Sequence, residues 1–425
     1  MNLNQLKNNI QDSAVEKWVL AQKKGTIESI TGSGKTFIFL KALYTMPIEC
    51  METVHLFLAE TTEREKDLMA EIEKFDSVFH TKVLKDYNLQ FFCYQTAYKW
   101  QGKEFGLVCC DEIHDQLSPA YVMFHLNNKC EAILGLSAKI NAYQCYPLKK
   151  YPELQKYFGS PLVNKIEILN QIAPICFKYN TNDGQKDGTA RQLNIYVIRH
   201  KLDDRYRNVK AGNAIKCFYQ TERDAYDYAT NQFNKAISLE PEEGENIFDF
   251  EERKNGFVKR ALHRRNTLLY SLYSKGEVVK NLLALVKGKS IVFGNNLDSL
   301  ELITPGRVMS SRNDDERNDL IRNTFEKGNI RSIGSFKKLK QGANLTEVDN
   351  CFIKDYYSTE IDFIQRVGRL RENKGKVGHV FVIVTEDTQE VSWFNKMVEN
   401  SKEYNYILCN NLKEAINEYS KYEEE

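Results

Sequence analysis

The sequence contains no apolar run long enough to cross a bilayer, which would take about twenty consecutive apolar positions. Its opening, MNLNQLKNNIQDS, also lacks the apolar core of a secretion signal. A cytosolic setting follows by default, or the host cytoplasm for a phage-encoded chain. The ten cysteines include no C-x-x-C pair. Adjacent Cys109 and Cys110 fall in an apolar run with the character of a buried strand, so the cysteines read as reduced packing residues, not metal ligands or disulfides. There is no excess of charge either: 59 Lys and Arg face 58 Asp and Glu, a net +1. Any hold on a polyanion must therefore come from a local basic face.

The 425 residues, 42% hydrophobic and 28% charged, suit two or three globular domains, each with its own core. Over the first 140 residues, short β-rich apolar runs alternate with amphipathic helical ones. GTIESI, TVHLFLAE, NLQFFCYQ, FGLVCCDE and CEAILGLSA read as strands, and KTFIFLKALYTM and TEREKDLMAEIEKF as helices. This rhythm predicts a parallel sheet covered by helices on both faces. Ligands gather at the carboxyl ends of strands in such sheets, which directs attention to Thr31–Thr36, Asp111–Glu112 and Ser137.

The stretch ESITGSGKTFIF (28–39) lacks the first glycine of the strict phosphate-loop pattern, since Ser29 stands there. The second half is intact. Backbone N–H groups around Thr31, Gly32, Ser33 and Gly34 can surround phosphate oxygens at a helix N-terminus. Lys35 would reach the β- and γ-phosphates and Thr36 would hold Mg²⁺. LVCCDEIHD (107–115) ends an apolar strand in two adjacent carboxylates. Asp111 suits Mg²⁺ and Glu112 the handling of an attacking water. Together these are two halves of a magnesium-nucleotide site in the expected order.

The motifs then resemble those of superfamily 2 helicases of the DEXH-box type. TGSGKT (31–36) resembles motif I in a form that often lacks the first glycine, and DEIH (111–114) resembles motif II. LGLSAK (134–139) resembles motif III, with Ser137 kept as a coupling residue and Lys139 in place of the usual threonine. LAETTEREKD (58–67) stands where motif Ia belongs without its Pro-Thr signature, so only Thr61 is carried over. YQTAYKW (94–100) resembles a DNA-strand-contacting segment, with Thr96 as its phosphate contact. SIVFGNN (290–296), SIGSFKKLKQGANLTEVDN (332–350) and FIQRVGRLRE (363–372) resemble motifs IV, V and VI.

This resemblance implies two tandem RecA-like α/β domains, their parallel sheets flanked by helices, with ATP in the cleft between them. It gives Gln11 the reading of adenine, Gly342 and Asn344 contacts to nucleic acid, and Gln365, Arg366 and Arg369 a catalytic face toward ATP. The motif VI pattern would place a further arginine at 372, where Glu372 stands after Arg371. The expected divisions are 1–140, a connecting segment 141–265, and 266–425. YPELQKYFGSPLVNKIEILNQIAPICFKYN (151–180) resembles the stretch after motif III in phage, repair and transcription-coupled DNA helicases. No accessory nucleic-acid domain is expected before Gln11, because motif I arrives almost at once. In the connecting segment an acidic run (240–252) meets the basic RKNGFVKRALHRRN (253–266), where Lys259, Arg260, Arg264 and Arg265 offer a phosphate stripe.

The reading is thus an ATP- and Mg²⁺-dependent helicase or translocase on nucleic acid, DNA before RNA, with no membrane partner. Alternatives are a duplex translocase that does not separate strands, an RNA helicase, and a catalytically weak remodelling module.

Overall fold

A computed structural model describes residues 3–47, 52–140, 144–212, 216–243, 245–336, 345, 347–356, 360–370, 377–402 and 404–422. The chain forms two compact units, Met1–Arg191 and Gln192–Glu425. The segment 141–265, expected as a connector, is divided between them.

In the first unit the strands are β1 (Lys24–Ser29), β2 (Val54–Ala59), β3 (Asn88–Cys93), β4 (Glu104–Asp111), β5 (Lys129–Ser137), a short antiparallel pair β6 (Cys145–Pro147) and β7 (Leu162–Asn164), and β8 (Ile175–Tyr179). The main sheet runs β3-β2-β4-β5-β1-β8, with every pairing parallel. Strands covered on both faces need apolar side chains at successive positions, and β4 is buried from Phe105 to Asp111. Alternate residues feed two cores. Phe57, Cys109 and Leu134 pack with Phe39 and Ile72 of one helical layer. Leu58, Cys110 and Ile133 pack with Val122 and Ile168 of the other. Neighbouring Cys109 and Cys110 therefore point to opposite faces, and burial raises both thiols well above their ordinary range. The first helix, Leu3–Leu20, is tied to this sheet by Trp18, whose indole N–H donates to the Ile133 carbonyl at 2.9 Å.

The second unit begins with β9 (Leu193–His200), followed by an antiparallel hairpin of β10 (Val209–Gly212) and β11 (Cys217–Gln220). Then come β12 (Ser290–Phe293), β13 (Val308–Ser310), β14 (Ser332–Phe336), β15 (Asn350–Ile353), β16 (Gly378–Thr385) and β17 (Asn405–Cys409). Its sheet runs β13-β14-β12-β15-β16-β9-β17, again parallel throughout. Ile291, Val380 and Phe363 lie in one core, and Val292, Phe381 and Val279 in the other.

Helices Glu222–Ile237 and Ile247–Ser271 pack on each other, and Tyr273–Leu285 follows. A chain of buried polar groups holds this helical part to the sheet. Lys275 and Glu390 form a fully buried pair at 2.6 Å, and Glu390 also accepts from the Thr385 N–H at 3.0 Å. Glu222, equally buried, accepts from the Asp203 N–H at 3.1 Å and from the Ser274 N–H at 3.0 Å and hydroxyl at 2.5 Å. Such charges are tolerated in a core only when paired and hydrogen-bonded.

Candidate nucleotide site

Because the first sheet is parallel, the loops after β1, β2, β3, β4 and β5 all leave from the same end. Apart from Gln11, which lies on the helix Leu3–Leu20, the residues singled out in the first unit sit in those loops, at the strand ends that lead into them or at the helix starts that follow.

After β1 the chain turns through Ile30–Gly34 into helix Lys35–Leu43. Gly32 (φ 91°) and Gly34 (φ 83°) occupy the left-handed region, which glycine enters without a steric cost. At Gly34 space also forbids a side chain: a Cβ would lie 2.4 Å from Gln11 Nε2. That amide donates to the Ser33 carbonyl at 3.1 Å, and Gln11 is buried. The structure thus brings Gln11 to the Gly32–Gly34 turn itself. The Ser33 hydroxyl closes the turn by donating to the Ile30 carbonyl at 2.9 Å. The loop leads into a helix N-terminus, where unpaired N–H groups favour anions.

Lys35 Nζ lies 2.9 Å from Glu112 Oε1. Glu112 adopts φ 48° and ψ 55° between β4 and the short helix Ile113–Gln116. For a residue with a Cβ this conformation costs on the order of 1–3 kcal/mol, and from it the carboxylate meets Lys35. Burial pushes the Glu112 carboxyl up, but Lys35 and then His114 pull it down further, to about 2. Its second oxygen, Oε2, is buried with His114 Nδ1 at 3.5 Å and makes no hydrogen bond among the described residues.

Arg64, which sequence reasoning passed over, links the two residues expected to hold the metal. Its Nε donates to Asp111 Oδ2 at 2.7 Å and its Nη2 to the Thr36 hydroxyl at 3.0 Å. Burial opposes its charge, yet Asp111, with Asp67 and Glu112, more than restores it and raises the guanidinium above its ordinary value. Arg64 lies on helix Glu63–Phe79, within the stretch where motif Ia was placed. The only signal was an arginine following Thr61 and Thr62 after an apolar strand.

The Thr36 hydroxyl and the Asp111 carboxylate are hard oxygen donors held on either side of one cation. That donor set fits Mg²⁺, which takes few protein oxygens and keeps much of its water.

Ser137, at the end of β5, is fully buried. Its hydroxyl donates to the Lys139 carbonyl at 2.9 Å and lies 3.0 Å from His114 Nδ1, so the ring nitrogen is the donor to Ser137. The acceptor at residue 139 is a backbone atom, and the Ser137 link to motif II does not depend on a threonine there. The neighbouring His114 carbonyl accepts from buried Lys165 Nζ at 2.9 Å. Motif II is thereby tied to the stretch resembling the post-motif III segment. Thr61 and Thr96 are exposed just beyond β2 and β3.

In the second unit, Arg366 is buried in helix Glu360–Val367. It donates to the Asp355 carbonyl at 3.0 Å and reaches Asn295 Oδ1 at 3.5 Å, with its guanidinium over the Phe293 ring. It joins motif VI to motif IV inside this unit. For Gln365 and Arg369 only the backbone is described, and Gly342 and Asn344 lie outside the described residues. Arg264 is exposed, whereas Arg265 is half-buried with its guanidinium 4.0 Å from the centre of the Phe233 ring. The basic stripe is therefore not uniform: Arg264 faces water and Arg265 packs.

Comparison with known proteins agrees with this arrangement. Residues 4–142 match the family model described as type III restriction enzyme, res subunit. The chain is 22% identical to the DNA 3'-5' translocase XPB2 of Sulfurisphaera tokodaii, over 89% of this chain and 82% of that protein. Among solved structures, S. cerevisiae Dbp5 bound to RNA and ADP BeF3 superposes with a TM-score of 0.58 at 11% identity, covering 98% of this chain and 91% of that one. The Hef helicase domain of Pyrococcus furiosus gives 0.51 at 16% identity, covering 91% and 97%. The fold is that of tandem RecA-like helicase domains. Among the described residues, no helix is long and apolar enough to cross a membrane.

Proposed function

We infer that this chain, a superfamily 2 helicase, is an ATP-dependent DNA translocase or helicase that hydrolyses ATP at the site built around Lys35 and Glu112. The observation that carries this reading is the convergence of the Gly32–Gly34 turn, Lys35, Thr36, Asp111 and Glu112 at one end of a single parallel sheet.

The geometry suggests how these residues work. Without nucleotide, Lys35 neutralises Glu112, and a carboxyl held near 2 is a poor base. When Lys35 turns to the phosphates, Glu112 loses its strongest stabilising charge and its pKa rises toward the range in which it can take a proton from water. Backbone N–H groups of the loop after β1 bind phosphate oxygens, and Gln11 braces that loop from behind. Thr36 and Asp111 would hold Mg²⁺, which when bound neutralises charge on the phosphates. Ser137, His114 and Lys165 form the hydrogen-bonded route by which a change at Glu112 reaches β5 and the chain beyond it.

DNA is preferred over RNA because the curated relative is named a DNA translocase and the matching family model belongs to restriction enzymes. The direction in that relative's name makes 3'-5' the polarity to test first. Its designation as a translocase also supports a second reading, movement on duplex without strand separation. A panel of ATPase rates with single-stranded DNA, duplex, branched DNA and RNA, paired with displacement of a labelled strand, tests both. Stimulation by DNA with displacement supports a helicase, and stimulation without displacement a translocase. No stimulation by any nucleic acid overturns the proposal.

A further inference from the structure

The hairpin of β10 and β11 stands outside the sheet of the second unit and belongs to none of the helicase motifs. Its register sets Lys210 opposite Tyr219 and Ala211 opposite Phe218. Residues directly opposite share a face, so one face presents Lys210 beside Tyr219. Helix Glu222–Ile237 packs against β10, and Val209 and Ala211 are half-buried. Phe218 and Tyr219 nevertheless remain 56% and 55% exposed, and Tyr206 just before the hairpin is 72% exposed. Phe218 and Tyr219 are consecutive in β11 and so point to opposite faces; the face that carries Tyr219 leaves a ring and the Lys210 cation side by side in water.

The charge of the same stretch identifies the partner. Residues 201–220 carry five basic against two acidic side chains, a net +3, whereas the whole chain is only +1. The basic side chains, Lys210 and Lys216 among them, are exposed. Asp203, one of the two acids, is turned to its own backbone, accepting from the N–H groups of Arg205 and Tyr206 at 2.8 and 3.3 Å. Exposed aromatic faces interleaved with cations suit a strand whose bases are free to stack and whose phosphates need counter-charge. A duplex keeps its base faces covered, so it would use the cations and leave the rings idle.

We propose that the Lys210–Tyr219 face of this hairpin is a binding surface for single-stranded DNA, with Tyr219 stacking on an unpaired base and Lys210 holding the backbone. It rests on the reading of the chain as a DNA-dependent motor and adds to it a contact that senses whether the bases are unpaired.

The test compares the full chain with Y219A, F218A, K210E and Y219W, by fluorescence anisotropy with an oligothymidylate of about twenty nucleotides and with a duplex of equal length. Y219A, checked to melt at the parent temperature, should bind the single strand about tenfold more weakly and bind duplex as the parent does. F218A, on the opposite face, should bind the single strand as the parent does. Y219W should keep the parent affinity, and its added emission should be quenched on binding. K210E should lower the salt slope by about one ion. Unchanged single-strand affinity in Y219A overturns the proposal, and an equal loss on duplex overturns the stacking assignment. A parent chain that binds neither DNA overturns both this proposal and the reading beneath it, whereas a parent that binds both while Y219A is unaffected overturns the hairpin alone.

Discussion

Replacing Arg64 by alanine should tighten the binding of a divalent cation. Arg64 spans Asp111 Oδ2 at 2.7 Å and the Thr36 hydroxyl at 3.0 Å, so the protein's own cation and Mg²⁺ compete for the same two oxygens. The pair is largely buried and weakly screened, and a hydrogen bond between charged groups there is worth roughly 1.5–3 kcal/mol. Removing that competitor should lower the dissociation constant for the metal by roughly ten- to a hundredfold. The same change leaves Asp111 buried without its main partner, so the metal-free variant should melt earlier than the parent and recover most of the difference on adding Mg²⁺. R64K is the graded control, because an ammonium lacks the rigid fork that spans both oxygens. Titration with Mn²⁺ followed by electron paramagnetic resonance, with and without ADP, reads affinity directly and is independent of turnover. Parent or weaker Mn²⁺ affinity in R64A would refute the competition and make Arg64 part of the nucleotide-binding set.

Three further outcomes are expected. R264E should weaken nucleic-acid binding and lower its salt slope with an unchanged melting temperature, whereas R265A should cost about 1 kcal/mol of stability through the lost stack on Phe233. R366A should destabilise the second unit by about 2 kcal/mol, seen in denaturant melts, because it strips a charge-assisted bond from Asp355 and Asn295; R369A should instead lower stimulated kcat by a factor on the order of 10³. His200 is lowered to about 3, first by burial and then by Lys275 and Lys354. Its unfolded value near 6.5 means the unfolded chain takes up the proton first, so its contribution is complete above about pH 6.5 and declines as pH falls toward 3. At pH 5 the loss amounts to about 2 kcal/mol, and melting curves of H200Q should be flatter over that interval.

Much of the first unit was legible in the sequence because its strands are buried on both faces and read as continuous apolar runs, each ending where chemistry begins. Lys35, Thr36, Asp111 and Glu112, singled out by the half-intact phosphate-loop pattern and the paired carboxylates, lie together at one end of the first sheet. The resemblance drew attention to Gln11 as a reader of adenine, and the structure shows its amide on the Ser33 carbonyl. Arg64 was missed because nothing local distinguishes an arginine aimed at Asp111 from one in solvent on an amphipathic helix. The middle of the chain was the hardest to read. Residues 141–265 hold the last strand of the first sheet, β8, and the first strand in sequence of the second, β9, and the two units divide between Arg191 and Gln192, where no motif stands. The Lys259–Arg265 run shows the limit of charge counting: Arg264 and Arg265 are neighbours in sequence, but a helix turns them about 100° apart, one to water and one onto Phe233.

The central claim is that nucleic acid drives ATP turnover at Glu112 with Lys35 as its partner. Single-turnover hydrolysis by E112Q, with saturating single-stranded DNA and the parent measured alongside, addresses it directly. The account predicts that the parent is stimulated by DNA, and that E112Q retains bound ATP with its hydrolysis slowed by a factor on the order of 10² or more. Hydrolysis by E112Q at the parent's DNA-stimulated rate would contradict it.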